Sequence, residues 1–372
     1  MPSVHYHTGG FPPKTIEWER LIPLIGPANA AIARYQGILE AVPNPDVLLS
    51  PLTTNEAVLS SRIEGTQATL GEVLEFEAAA AQSDVSGEKR ADINEVLNYR
   101  AALYESIAQL QQLPLSQRVV KDAHRRLMRG VRGDSKNPGE YRRTPVWLGA
   151  SGSTIEAARF IPIGAQDLPD AMSRWEQYLH SDQPDRLVQL AIAHAEFEAI
   201  HPFLDGNGRL GRLLVPLFLV EKGILTRPTF YMSGYLEAHR DEYYDRLLAI
   251  SRDGDWTGWA AFFLAAVKDQ ADENGAKARA ILGLYRQEKE WIAKATRSQH
   301  AIVALDWIFS RPIFSSSDFL ANSGIPRAAG KRILAVARRE GRLSEARPGV
   351  GNRPAILAFP GLLNIAEGRA VF

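Results

Sequence analysis

Residues 201 to 212 read HPFLDGNGRLGR and put one histidine, one acid, three glycines and two arginines into a dozen positions. Gly206, Asn207 and Gly208 accept positive φ, and such a turn aims several backbone N–H groups into one anion-binding nest. The apolar run that follows, RLLVPLFLV, reads as a helix, so its N-terminal amides and the positive end of its dipole face the same spot. Arg209 and Arg212 are three apart and share a helix face, and guanidinium groups match phosphate oxygens as bidentate donors. Nest, dipole and two arginines suit a di- or triphosphate better than a single carboxylate. Asp205 adds a hard oxygen ligand beside that polyphosphate, the usual place for Mg²⁺. His201, four residues earlier, is placed to take a proton from a hydroxyl that attacks phosphorus. The end of the preceding helix would raise its pKa and burial would lower it. Taken singly, these residues have ordinary readings: packed histidines, surface ion pairs, a plain turn and, in Phe203, a core aromatic. Together in one interhelical loop they point to a polyphosphate site.

Two look-alikes fail on context. GNGRLG matches G-x-G-x-x-G formally, but a dinucleotide fingerprint follows a strand, and AIAHAEFEAI before it has helical periodicity. His194, Glu198, His201 and Asp205 fall near one helix face and can be drawn as a metal cluster. Their spacing is not H-E-x-x-H, and the drawing leaves both arginines unexplained.

The elements around this loop read mainly as helix. Apolar spacing predicts helices over 18–41, from near Thr54 to a C-cap at Gly65, and over 70–80, 90–112 and 116–130. VWLG (146–149) and RFIPI (159–163) are β-prone runs around ASGSTIEAA, a hairpin with a long loop. Helices return at 165–180, 185–200, 207–222, 237–250 and 256–271, and a polar helical connector covers 272–295. Beyond it, helices over 298–309, 314–324 and 325–341 precede two strands around a Gly/Pro turn, the outline of a winged helix-turn-helix.

Composition sets the outer limits. A chain of 372 residues implies two or three domains. Basic and acidic residues number 43 each, so net charge favours neither nucleic acid nor membrane. With no cysteine, disulfides and thiolate zinc sites are excluded, and a cytoplasmic location fits. The N-terminal stretch has no signal-peptide pattern, and the longest apolar runs are too short to span a bilayer.

HPFLDGNGRLGR resembles the signature of the Fic family, H-x-F-x-[DE]-G-N-G-R-x-x-R, at every defined position, and the flanking AEFEAIHPF is also typical. The resemblance implies a Fic-type helical core with a small β-hairpin flap, followed by a winged helix-turn-helix. The divisions expected are 1–110 (N-terminal helices), 111–271 (catalytic core), 272–297 (connector) and 298–372 (winged helix). It implies transfer of AMP from ATP to a Ser, Thr or Tyr hydroxyl of a target protein, or of the chain itself, with release of pyrophosphate. His201 would be the base, Phe203 the loop's anchor and Asp205 the Mg²⁺ ligand. Gly206, Asn207 and Gly208 would form the anion nest, Arg209 would meet the β-phosphate and Arg212 the γ-phosphate. Tyr243 and Tyr244 would stand near adenine, and the hairpin 146–163 would be the flap that docks the target by strand addition. SSRIEG (60–65) resembles the family's inhibitory motif, with Ser60, Glu64 and Gly65 at its defined positions. A Glu64 carboxylate on Arg212 would take the donors that a γ-phosphate needs. The C-terminal module holds Arg327, Lys331, Arg332, Arg338, Arg339 and Arg342, with Arg347 and Arg353 by its wing. That fits either DNA contact or a docking or dimerisation module, and zero net charge leans toward the latter. Two other functions stand beside AMP transfer: a DNA-binding regulator with a nucleotide-sensing core, and removal of AMP from a modified target at the same site.

Overall fold

In the computed structural model of the chain, the residues described are 3–79, 86–150, 152, 154–350 and 353–371. Two compact units divide them: 1–36, 59–65 and 98–272 in the first, and 37–58, 66–97 and 273–372 in the second.

The first unit is built around α8 (Arg186–Ile200), whose sequence, RLVQLAIAHAEFEAI, is buried on nearly every side. A helix apolar all round belongs at the centre of a bundle. It packs against α7 (Leu168–His180), α9 (Asn207–Glu221) and α11 (Arg240–Asp253), and α9 also meets α6 (Gln117–Leu127). The Asp185 side chain caps α8 by accepting from Leu187 N and Val188 N, both at 2.9 Å, an arrangement worth about 1 kcal/mol. Trp175 Nε1 donates to Ala193 O at 2.8 Å and Trp259 Nε1 to Ala191 O at 2.7 Å, so two large side chains fix the rotation of α8. The helix expected over 18–41 forms as α1 (Trp18–Ala41) in spite of Pro23 and Pro27. That expected from Thr54 begins earlier, as α3 (Ser50–Ile63). α5 (Gly87–Leu110) matches its expectation closely, while the expected 256–271 helix and its connector are one element, α12 (Trp256–Thr296).

The hairpin expected at 146–163 is looser than its sequence implies. Its first arm makes a single antiparallel bridge, Leu148 to Phe160, and its second is a two-residue strand, β2 (Phe160–Ile161). Ser151 and Ser153 of its loop lie outside the described residues. The strand that pairs with β2 is β1 (Val4–His5), in parallel register, Val4 opposite Phe160 and His5 opposite Ile161. Nothing in the Pro/Gly-rich start of the sequence signals a strand of two residues.

In the second unit, α2 (Pro45–Leu48) packs on α13 (Ala301–Ser310), and α4 (Leu70–Ala79) packs on β3 (Ile313–Ser315). Then follow α14 (Ser316–Asn322), α15 (Arg327–Arg339), β4 (Ser344–Arg347), β5 (Ile356–Ala358) and α16 (Pro360–Glu367). The sheet is antiparallel in the order β3–β5–β4. β3 and α16 have no counterpart in the sequence reading. Gly351 and Asn352 of the turn between β4 and β5 lie outside the described residues. Trp307, Phe314 and Phe319 fill this core, with Trp307 meeting the other two rings edge-on.

Candidate active site

The loop between α8 and α9 is held shut by its own residues. α8 stops where His201 turns left-handed, with φ 50°, and α9 starts after Gly206, with φ 75°. A side chain at Gly206 would also run into Met128, whose Sδ would stand 2.7 Å from a Cβ there. Asn207 bridges the bend: its Oδ1 accepts from Phe203 N and its Nδ2 donates to Phe203 O, both at 2.9 Å. Phe203 is buried and stacks on His124, ring centroids 3.8 Å apart and planes 9° from parallel. His124 Nδ1 accepts from Gly139 N at 2.8 Å, which puts the proton on Nε2, and that nitrogen donates to Asp205 O at 2.9 Å. Burial pushes the His124 pKa down to about 4, which keeps this neutral tautomer.

His201 is set for proton transfer by one contact. Its Nδ1 donates to Glu198 O at 3.3 Å, leaving the Nε2 lone pair free to accept. Burial pushes its pKa down to about 4, so the ring is neutral at physiological pH. Arg142 clamps the end of α8: its Nε donates to His201 O at 2.8 Å, and its Nη2 to Ile200 O at 3.2 Å and to Ile163 O. The sequence reading passed over Arg142 and His124, which reach the loop from 59 and 81 residues away.

Arg212 is only 1% exposed and is held through Nε and Nη2. Its Nε donates to Ser60 Oγ at 3.0 Å, and its Nη2 to Ser60 O at 2.8 Å and to Glu64 Oε1 at 2.7 Å. Gly65, with φ 100°, ends that segment. The Glu64 carboxylate lies directly over Gly208, where any Cβ would collide with it. Burial by itself would raise the Glu64 pKa, but Arg212 and, behind it, Arg209 outweigh it and hold the carboxyl below its usual range. Arg209 runs the other way, its Nη2 3.8 Å from Met128 Sδ and 3.9 Å from Asp205 Oδ1. Asp205 Oδ1 accepts from Gly206 N at 2.7 Å, and Oδ2 meets Lys136 Nζ at 2.9 Å.

A cavity of about 520 Å³ opens onto these groups. Glu64, His201, Gly208, Arg212 and Tyr243 all line it, along with Trp147, Leu148 and Phe160 of the 146–163 hairpin. Ser60 stands behind Arg212, and Asp205, Gly206, Asn207 and Arg209 lie beside the cavity along the loop and are not part of its lining. Tyr243 is more a wall than a contact: it is buried, with its hydroxyl on His194 Nε2 at 3.0 Å. His194 in turn donates from Nδ1 to Gly211 O at 3.1 Å, and burial pushes its pKa down to about 3. Glu198 also lines the cavity, and burial, with the Glu64 charge nearby, pushes its pKa up to about 7. Residues 4–7 brace the hairpin. Tyr6 N donates to Ile161 O at 2.9 Å, while Tyr6 Oη donates to Glu196 at 2.6 Å and His7 Nε2 meets the same carboxylate at 2.8 Å.

Residues 22–108 match the model of the Fic/DOC family N-terminal region, and residues 114–219 that of the Fic/DOC family. The chain is 31% identical over 217 residues to the protein adenylyltransferase Fic of Drosophila grimshawi, covering 56% of this chain and 40% of that protein. The Drosophila mojavensis protein of the same name is also 31% identical, with 56% and 39% covered. The match thus spans about 40% of the length of these curated relatives. Among solved structures, a Fic family protein from Desulfovibrio desulfuricans superposes with a TM-score of 0.60 at 22% identity, over 93% of this chain and 98% of that one. A Fic domain containing signaling protein from Bacteroides thetaiotaomicron gives 0.52 at 17% identity, over 69% and 97%. Signature loop, helical core and both family models converge: the chain belongs to the Fic/DOC family.

Proposed function

We propose that this chain is a protein adenylyltransferase held inactive by Glu64. The observation that carries the reading is the Glu64 carboxylate on Arg212, 2.7 Å away, lying over Gly208 at the start of α9. A carboxylate there occupies the position in which the nest and the arginine would receive a terminal phosphate. ATP is the co-substrate that fits a cradle with a base at its lip. The acceptor is a Ser, Thr or Tyr hydroxyl of a target protein, or of the chain itself, docking along the 146–163 flap.

In this mechanism the hydroxyl oxygen attacks the α-phosphorus as the bond to the β-phosphate oxygen breaks and pyrophosphate leaves. His201 enters neutral, with Nδ1 committed to Glu198 O, and takes the hydroxyl proton on Nε2. Phosphate charge brought close to the imidazole raises its basicity as the reaction needs it. Asn207 and Gly208 supply amide donors, Gly206 N being already bonded to Asp205 Oδ1, while Arg209 serves the β-phosphate and Arg212 the γ-phosphate. Asp205 suits Mg²⁺: it is a hard carboxylate, with Oδ1 bonded to Gly206 N and 3.9 Å from Arg209 Nη2, and Oδ2 paired with the half-exposed Lys136. The ion, when bound, would neutralise phosphate charge and orient the leaving group. Tyr243 and Tyr244 form the cavity wall beside the nucleoside.

Inhibition follows from charge. Glu64 is 35% exposed on its side chain, so its pairing is worth roughly 1–3 kcal/mol after solvent screening. The middle of that range corresponds to roughly 10- to 100-fold in rate. Residues 1–110 would carry the inhibitory helix, 111–271 the catalytic core, 272–297 a connector and 298–372 a winged helix-turn-helix. The order α13–β3–α14–α15–β4–β5 supports the last assignment. Arg338, Arg339, Arg342 and Arg347 each lie within 4.0 Å of a carboxylate of their own unit, which favours a docking or dimerisation role over duplex binding. Among the described residues, no helix is long and apolar enough to cross a membrane.

The test uses ATP labelled at the α- or the γ-phosphate. Label should pass to protein from the α position alone, and Glu64→Gly should raise the rate roughly 10- to 100-fold. Label from the γ position alone would refute AMP transfer.

A further inference from the structure

The loop after α6 does more than pack against the site. Residues 128–139, MRGVRGDSKNPG, curl around Asp205. Gly133 has φ 91°, and a Cβ on it would stand 3.0 Å from Asp205 Oδ2, so the loop approaches the carboxylate as closely as a bare backbone permits. Lys136 N donates to Gly133 O at 2.8 Å, a turn that brings the lysine back over the acid. Its Nζ then meets Asp205 Oδ2 at 2.9 Å, while Oδ1 is taken by Gly206 N. The carboxylate assigned above to face a divalent ion therefore already carries a cation on its outward oxygen.

The exposure of this pair decides what it can do. Lys136 is 49% exposed and Asp205 34%, so the contact is of the screened kind that opens readily. An ammonium on a four-carbon stem is a compact charge that can change partners without moving the backbone. Arg209 and Arg212 are buried, so their guanidinium groups have far less room to swing than an exposed ammonium. Lys136 is thus the adjustable charge beside a cradle of fixed ones.

We propose that Lys136 is a further phosphate-binding residue: it neutralises Asp205 in the free protein and passes to phosphate oxygens when a metal–nucleotide complex takes the carboxylate. The inference rests on reading Asp205 as the metal-facing acid. It makes two demands with opposite signs. Lys136 competes with a divalent ion for Asp205 when no nucleotide is present, and it supports the nucleotide when no ion is present.

The measurement is binding, not turnover, on the full-length Glu64→Gly protein, so that the inhibitory carboxylate does not compete. ATP affinity is read by calorimetry with EDTA and with Mg²⁺, and the affinity of Mn²⁺ alone by its electron paramagnetic resonance signal. Lys136→Met keeps the apolar stem and removes the charge. It should weaken metal-free ATP about tenfold, as expected for one charge-assisted contact. It should weaken Mg²⁺–ATP by only about two- to threefold and tighten Mn²⁺ binding about threefold. Lys136→Arg should restore metal-free affinity, which a loss from misfolding would not allow. Unchanged affinities for both metal-free ATP and Mn²⁺ in Lys136→Met would overturn the role of Lys136 alone. A parent protein that binds ATP no better with Mg²⁺ than with EDTA would overturn the Asp205 assignment and this inference with it.

Discussion

Arg212 is 1% exposed and spends its guanidinium on Ser60 and Glu64, 152 and 148 residues away, whereas Arg339 is 71% exposed and meets Glu340, its neighbour in the chain. The same contrast separates the loop around Arg212 from two further arginines of the C-terminal module, where Arg338 pairs with Glu345 and Arg347 with Glu75 at solvent-exposed positions. A buried guanidinium carries a desolvation cost that only well-placed partners offset. A surface ion pair costs little to form and contributes little. Charge that a fold holds out of water is where chemistry is best sought, and charge left in water says more about solubility than about mechanism.

The comparison breaks first at His201. If the buried site does the chemistry, His201→Ala in the Glu64→Gly background should cut AMP transfer by roughly 10²- to 10⁴-fold, the range for loss of a general base. Thermal unfolding should barely move, because the ring makes one long contact, 3.3 Å to Glu198 O. Transfer that persists in the variant would take the base elsewhere.

Arg212 tests the same contrast through stability. Arg212→Ala removes donors from Ser60 Oγ, Ser60 O and Glu64, and leaves a hole in a packed region. The expected loss is about 2–4 kcal/mol by chemical denaturation. A loss under 1 kcal/mol would mean that Arg212 is solvated in solution and not the anchor it resembles here.

A third effect is smaller and concerns pH. Burial pushes the His201 pKa down to about 4. The active form is neutral, so activity is retained above that value and is lost as the ring protonates on acidification. The acid limb of kcat/KM for the Glu64→Gly protein should fall below pH 5.5, where an exposed histidine would place it near 6.5. Removing Glu64 also removes a charge that favours the imidazolium, which pushes the limb lower still. A limb at 6.5 or above would show a solvated ring.

How much of this could be read from the sequence follows from distance along the chain. The 201–212 loop was legible because base, nest and arginines are packed into one local stretch whose geometry follows from glycine and helix-start rules. Ser60 and Glu64 were legible only through their resemblance to a known motif, since nothing local ties them to Arg212. Lys136, Arg142, His124 and the Tyr6–Glu196 contact were invisible, because each acts across 59 to 190 residues and sits in an unremarkable local pattern. Most helices emerged from periodicity and β2 falls within the β-prone run RFIPI, while β1 and β3 are two and three residues long, too short to show a period of two. The run VWLG has strand propensity but forms one bridge, since the partner that completes β2 comes from the N-terminus.

The smallest expected effect lies at the other end of the comparison. Arg338 is 46% exposed beside Glu345, and Arg339 71% exposed beside Glu340, each at 3.1 Å. Ala at both positions should change stability by no more than about 0.5 kcal/mol per site, because water replaces each lost contact. The same double variant also separates the two roles open to the module. If α15 lies along nucleic acid, each arginine removed lowers the slope of log affinity against log salt by about one, while stability stays where it was. If the module docks protein or a second copy of the chain, duplex binding is weak in the parent and the slope does not move. A small stability change with a lost salt slope would then mark these exposed arginines as functional despite their exposure. That would confine the burial argument to sites of chemistry and exempt the surfaces that bind polyanions, where charge has to stay in water until its partner arrives.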